Sequence, residues 1–441
     1  MSLETARQLV RLARRAGAEA ASASASRSDH FDAIFRMGRL DSIERAETLD
    51  LSLRVQIGLR QACASVSSLD PQAMEDLAEQ TVAMAKEASE DPWCAFAETQ
   101  PPAEGPDLEL FDSAEPGPAS DYRRAAEEMD QVMRSVPGVT NSEGSSAGWA
   151  LGEHAAAFSD GYESLRRNSA FWLSCQAIAG EGLCMKGDHD FDHKRWRSDL
   201  RSPEEIARSA GERAARRVGA RKPPGGPAPV IFERRVSASL VSHLLNAING
   251  ESVARGSSFL REKLGERVFC AGLEITDDPW LKRGHGSRLS DGEGRRTAPR
   301  KLVEDGFLKT WLLDSQTARR LGMESNACAW GGAGSSPSPG PSNVRMTPGS
   351  LSPEDLIRDV KSGFLVTEFL GASINPTTGA YSRGASGFWI ENGEIAYPVD
   401  EATIAGALPE MFMNLTLAND LRGDRRIDAP TLRVEGCHVA V

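Results

Sequence analysis

Hydrophobic positions recur with two periods along this chain, and the switches between them set out its elements. Residues 5–16 place Leu9, Val10, Leu12 and Ala13 on one side and arginines on the other, which predicts an amphipathic helix closed by Gly17. Leu51, Leu53, Val55 and Ile57 then alternate with polar residues, the mark of a half-buried strand. Residues 61–67 continue as its hairpin partner, with Gly58 near the turn. Asp70-Pro71 opens a helix with Met74, Leu77, Val82 and Met84 expected inside, and Asp91-Pro92 stops it. Residues 99–119, rich in Pro, Asp, Glu and Gly, read as a surface connection. Beyond it, residues 121–136 predict a helix, 146–185 antiparallel strands, and 203–218 a helix capped at Ser202.

The stretch Lys222-Pro223-Pro224-Gly225-Gly226-Pro227 can be neither helix nor central strand and marks the clearest boundary. Past it the period predicts helices near 237–248 and 257–264. Short strands follow at 307–312, 363–370, 387–390 and 395–399. Asn392-Gly393 is the favoured two-residue type I′ hairpin turn. The expectation is an α+β protein in three parts. These are a small α/β N-terminal domain (1–98), an α+β middle domain (99–221) and a β-rich C-terminal domain with an antiparallel sheet (222–441). No fixed-period repeat of solenoid type is present.

Composition narrows the function. In 441 residues there are 51 Lys plus Arg against 63 Asp plus Glu, a net charge of −12. That balance argues against nucleic acid as the main partner, which needs clustered cations. No run of 18 apolar residues occurs, so no membrane-spanning helix is expected. The first residues make a poor secretory signal. The seven Cys stand apart at 63, 94, 175, 184, 270, 328 and 437 without a CxxC pair, which reads as reduced thiols in a cytoplasm-like compartment. The seven His are equally scattered, which removes most zinc-finger and zincin readings.

Four stretches are candidates for chemistry. In Asp188-His189-Asp190-Phe191-Asp192-His193 acids and imidazoles alternate, a possible divalent-ion face. The alternation, however, splits the His from the Asp, and the plain reading is an exposed acidic hairpin tip. His243 sits in an apolar helix with no second His or acid at zincin spacing, so it reads as a core or boundary group. The Gly/Ser/Pro run from Gly331 to Asn343 lacks GKS or GKT and reads as a long loop suited to a peptide or partner rather than a nucleotide. The run from Gly379 to Gly387 reads as a tight loop whose small residues allow close backbone approach, with Arg383 able to hold a carboxylate. Ser382 has no triad partners at recognisable spacing. The candidate peptide or partner contacts are therefore Ser335, Ser336, Asn343, Ser382 and Arg383.

Long motifs then point to a family. SSFLREKLGERVF, DGEGRRTAPRKLVEDGFLKTWLLDSQTARRLGM and GAYSRGASGFWIENGEIAYPVDEATIAGALPEMF together resemble the TldD/PmbA metalloprotease family, on its PmbA (TldE) branch. DSIERAETLDLSLRVQIGLRQACASVSSLD near the start is similar too, and the resemblance is weakest at about 95–200. The resemblance implies a bacterial cytoplasmic metallopeptidase system acting on unfolded or extended peptides. It also implies that zinc sits in the TldD branch, on a helical HExxxH completed by a Cys near the C-terminus. In this chain the corresponding helix reads Leu240-Val241-Ser242-His243-Leu244-Leu245-Asn246-Ala247, with the two His positions falling near Val241 and Asn246. After Asn419-Asp420 no thiol occurs until Cys437. The expectation is a chain that binds no zinc itself and partners a zinc-bearing TldD-like subunit, with a homodimer open because the branches share a fold. Two alternatives stand beside it: a metallopeptidase using Asp188, His189, Asp192 and His193, and a non-enzymatic regulatory binder.

Overall fold

The computed structural model describes residues 3–94, 96–101, 104–331 and 336–440. Backbone contacts divide the chain into two units. The first holds residues 1–215, 280–298 and 313–340; the second holds 216–279, 299–312 and 341–441.

The first unit is built on one antiparallel sheet. Its strands are β1 (Ala20–Arg36), β2 (Arg39–Ile57), β3 (Arg60–Val66), β4 (Val139–Phe158), β5 (Glu163–Ala179) and β6 (Lys186–Lys194). Their order is β3-β2-β1-β4-β5-β6, so the sheet runs across the 99–119 connection. Helices α1 (Leu3–Arg15), α2 (Pro71–Glu87), α3 (Ala119–Ser135) and α4 (Pro203–Arg216) cover one face. Each does so with a helical stripe: α1 buries Ala6, Leu9, Val10 and Ala13, and α3 buries Tyr122, Ala126, Met129 and Met133. The matching sheet positions alternate, as in Phe31, Ala33 and Phe35 on β1 and Phe171, Leu173 and Cys175 on β5. Asp70 caps α2 by accepting from Gln72 N. Met84, expected inside, is exposed.

The β1–β2 turn is pinned from α3. Met37 and Gly38 have φ of 50° and 78°, the left-handed pair a two-residue hairpin needs. Both their amides donate to the fully buried Asp130 carboxylate, at 3.0 and 2.7 Å, and Arg134 Nε donates to it at 2.9 Å. Asp130→Ala would strip the acceptor from two turn amides. The expected loss is about 2 kcal/mol of unfolding free energy in a urea titration, with Asp130→Asn losing less.

The stretch from Asp188 to His193 is not a hairpin tip. It is the edge strand β6, with Asp188, Asp190 and Asp192 on the helix-covered face and His189, Phe191 and His193 exposed. Asp190 and Asp192 are matched by cations, from the end of β6 itself and from the following segment. Arg201 Nη2 lies 3.0 Å from Asp190, Arg213 Nη1 3.7 Å from it, and Lys194 Nζ 3.3 Å from Asp192. Burial works against the Asp190 carboxylate, but Arg201 and Arg213 hold its pKa below the ordinary value. Inward charges also blunt a sheet edge against stray pairing.

The second unit centres on a small closed barrel. Its strands are β7 (Gly226–Phe232), β8 (Ser362–Ile374), β9 (Ala380–Glu391), β10 (Glu394–Ala407), the short β11 (Leu415–Leu417) and β12 (Leu432–Ala440). The order is β10-β9-β8-β7-β12-β11, and a β10–β12 pairing closes the ring. The β7–β8 pair is parallel; the others are antiparallel. Helix α5 (Arg234–Ala247) follows β7 directly and packs on β7 and β8. Asn392 and Gly393 turn β9 into β10 with φ of 52° and 81°, as the sequence predicts.

Three expectations change here. Residues 257–264 form turns rather than a helix, because their amides are taken elsewhere: Ser257 N donates back to Ser252 O in the preceding short helix and Phe259 N to the distant Pro376 O. The nearby helix is Gly250–Ala254. The expected strand at 307–312 is only Phe307–Leu308. The expected loop from Gly379 to Gly387 is strand β9 from Ala380 onward, where glycines let neighbouring backbones close in.

Candidate functional site

Among the described residues, a group of buried polar side chains with few or no partners lies in the barrel unit, between α5 and β9. Helix α5 buries Ser237, Leu240, Val241, Leu244 and Leu245. Ser239 and His243, four residues apart, stand together on a neighbouring stripe. On β9, alternation puts Tyr381 and Arg383 on one face and Ser382 on the other. His243 and Tyr381 meet edge to face with ring centroids 5.8 Å apart. The Arg383 guanidinium lies over Phe369 at 3.8 Å from the ring centroid, which fixes its plane.

Electrostatics ties the three together. Burial pushes the His243 imidazole down to about 4, with the Arg383 charge adding to it, so it is neutral near pH 7. Burial holds the Tyr381 phenol above its ordinary value, and nearby Arg383 offsets part of the rise. Cys437 is fully buried, and burial followed by the Glu435 charge pushes its thiol up to about 12, so it is no ready thiolate. His243 Nε2, Arg383 Nε and Ser239 Oγ are buried without a hydrogen-bond partner, and Tyr381 Oη has only the Arg383 guanidinium within reach, which leaves its own O–H unused.

Zinc does not fit this donor set. A catalytic zinc takes three side-chain ligands with nitrogen, sulfur or carboxylate donors. Here a single imidazole faces a phenol and a guanidinium, and a fixed cation beside a metal position repels the ion. Among the described residues no group of three His, Cys, Asp or Glu is placed to hold a metal. The β6 alternative fails on geometry too, because its His and Asp side chains point to opposite faces.

The other sequence candidates scatter. Ser335 lies outside the described residues. Ser336 is exposed, beside Cys63, just before Ser338–Pro339, which pairs with Ala329–Trp330. Asn343 is 1% exposed, and its Nδ2 donates to Asp278 O at 2.7 Å, so it braces the end of the run. Ser382 faces away from Arg383. Of the five, only Arg383 joins the cluster. Tyr381 was missed, although a period-two step from Arg383 finds it, and His243 was set aside as a core group.

The first unit carries a separate groove of about 940 Å³. Leu108, Phe111, Leu165, Arg166, Arg167 and Trp196 line it, and Arg167 stacks on Phe111 at 3.8 Å. Two of its acids are ion-paired, Glu109 with Lys282 and Arg283 and Glu163 with Arg7, while Asp107 accepts from Glu109 N at 2.9 Å. Apolar walls with a few cationic heads suit a bound chain better than bond-breaking chemistry.

A barrel in one unit and a helix-covered antiparallel sheet in the other are the parts of a class of metallopeptidase folds. Residues 225–441 match the PmbA/TldA metallopeptidase C-terminal domain, residues 111–218 the central domain, and residues 21–85 domain 1. The chain belongs to the PmbA/TldD metallopeptidase family. It is 34% identical over 425 residues to the metalloprotease PmbA of Escherichia coli O157:H7, covering 95% of this chain and 92% of that one. It is 32% identical over 431 residues to the PmbA homolog of Haemophilus influenzae, covering 97% and 93%. Among solved structures, a Bacteroides thetaiotaomicron protein described as a candidate modulator of DNA gyrase superposes with a TM-score of 0.91 at 26% identity, over 99% and 98% of the two chains. TldE from Thermococcus kodakarensis shares the fold at a TM-score of 0.85 and 22% identity, over 99% and 100%.

Proposed function

We propose that this chain is the non-catalytic, peptide-holding subunit of a PmbA/TldD-type metallopeptidase. It leaves zinc chemistry to a TldD-like partner and works with it in the cytoplasm on unfolded or extended peptides. The observation that carries the reading is the α5 site: on a metallopeptidase fold, the helix presents His243 to Tyr381 and Arg383 instead of to further ligands. The Arg-lined groove of the first unit supports a peptide-holding role. The shared fold leaves a homodimer open when the partner is absent.

Co-expression with a TldD-like chain, followed by size-exclusion chromatography, tests the pairing. The expected result is a single complex containing both chains in equal amounts. Two separate peaks at micromolar concentration would favour a regulatory binder with other partners.

A further inference from the structure

Three polar groups on α5 and β9 share a chemical preference. Arg383 Nε–H and Tyr381 Oη–H are donors, and neutral His243 can place a proton on Nε2. Tyr381 is 2% exposed, so its hydroxyl cannot turn freely to bulk water. Among the described residues Arg383 has no carboxylate within ion-pair distance. A buried donor without a partner is costly to leave unmade, and a guanidinium stacked on an aromatic ring is already oriented for a planar anion. His243 and Arg383 are only partly buried, so each side chain reaches the surface beside the buried donor atoms.

We propose that His243, Tyr381 and Arg383 form a carboxylate-binding site that anchors a peptide. Resting on the peptide-holding reading above, it adds what part of the peptide is held. The carboxylate oxygens would accept from Arg383 and Tyr381, with His243 donating through Nε2. Either a terminal carboxylate or an acidic side chain supplies this chemistry, and the terminal group, free of neighbouring chain on one side, enters a half-buried site more easily.

The test uses the full chain and three fluorescent alanine-rich pentapeptides followed by anisotropy. The first has a free C-terminal carboxylate and no acidic side chain. The second is its C-terminal amide. The third is the amide with one Glu. The expected result is that amidation weakens binding about tenfold or more, as loss of a charge-assisted hydrogen bond does. Arg383→Gln and Tyr381→Phe should shrink the acid–amide difference, and Arg383→Lys should restore part of it. Thermal unfolding of each variant shows that it is folded. Recovery of affinity in the Glu-bearing amide would keep the site and assign it to acidic side chains. Equal binding of acid and amide, or a difference that survives Arg383→Gln in a folded variant, overturns the carboxylate site and leaves peptide holding intact. No binding of any pentapeptide overturns both.

Discussion

Gly387→Ala should lower the unfolding temperature of the barrel unit by about 10 °C, equivalent to about 3 kcal/mol. Gly387 lies on β9 opposite Val366 of β8 and Val399 of β10. An added Cβ there would stand 1.9 Å from Leu365 O, 2.9 Å from Leu365 C and 3.0 Å from Val366 Cα. All three are backbone atoms, so no rotamer change relieves the overlap. The strand would have to part from β8 in the middle of a closed ring, where every backbone group depends on both neighbours. Gly225→Ala is the control: its added Cβ meets only Val439 O at 3.8 Å. That variant should unfold within a few degrees of the parent. Calorimetry on both variants checks the pair.

Glu293→Gln should remove a pH dependence of about 3 kcal/mol from the first unit. Glu293 is buried and accepts from Ser315 N at 2.9 Å and Ser315 Oγ at 2.7 Å. Burial, followed by the nearby Asp291 charge, raises its pKa from 4.5 to about 7. Between those values the unfolded chain has ionised this carboxyl while the folded chain still holds the proton. Stability from this group is therefore fully present below pH 4.5 and is lost as pH rises through about 7. The glutamine keeps an oxygen for Ser315 but does not titrate. The parent and the variant should be close at pH 4.5, and the variant more stable above pH 8. Urea titrations across that range give the difference directly, because other groups cancel between the two proteins.

Local patterns carried much of the fold. The helical stripes of α1, α3 and α4 and the Asn392-Gly393 turn are set by neighbours within a few residues, so periodicity finds them. Barrel closure is not local. It depends on β7 pairing in parallel with β8 and on β10 reaching β12, and no short window of sequence encodes either. The β6 aspartates misled for a related reason. Alternation split acids from histidines correctly, but polar residues are read as facing water, and these acids face inward because Arg201 and Arg213 meet them there. The same limit applies to the site. Arg383 stood out as a cation among small residues, and Tyr381 was within reach of a period-two argument. His243 carried no distinguishing neighbour in sequence. Only the packing of α5 against the barrel brings it to Tyr381.

The central claim is a division of labour, and peptidase activity with zinc content tests it most directly. This chain, a TldD-like chain and their equimolar mixture would each be assayed on an unfolded peptide, with zinc measured in the same samples. The account predicts negligible zinc and no hydrolysis for this chain alone, and hydrolysis in the mixture with zinc following the partner. About one zinc per chain in this protein alone, with activity abolished by His189→Ala/His193→Ala, would contradict it.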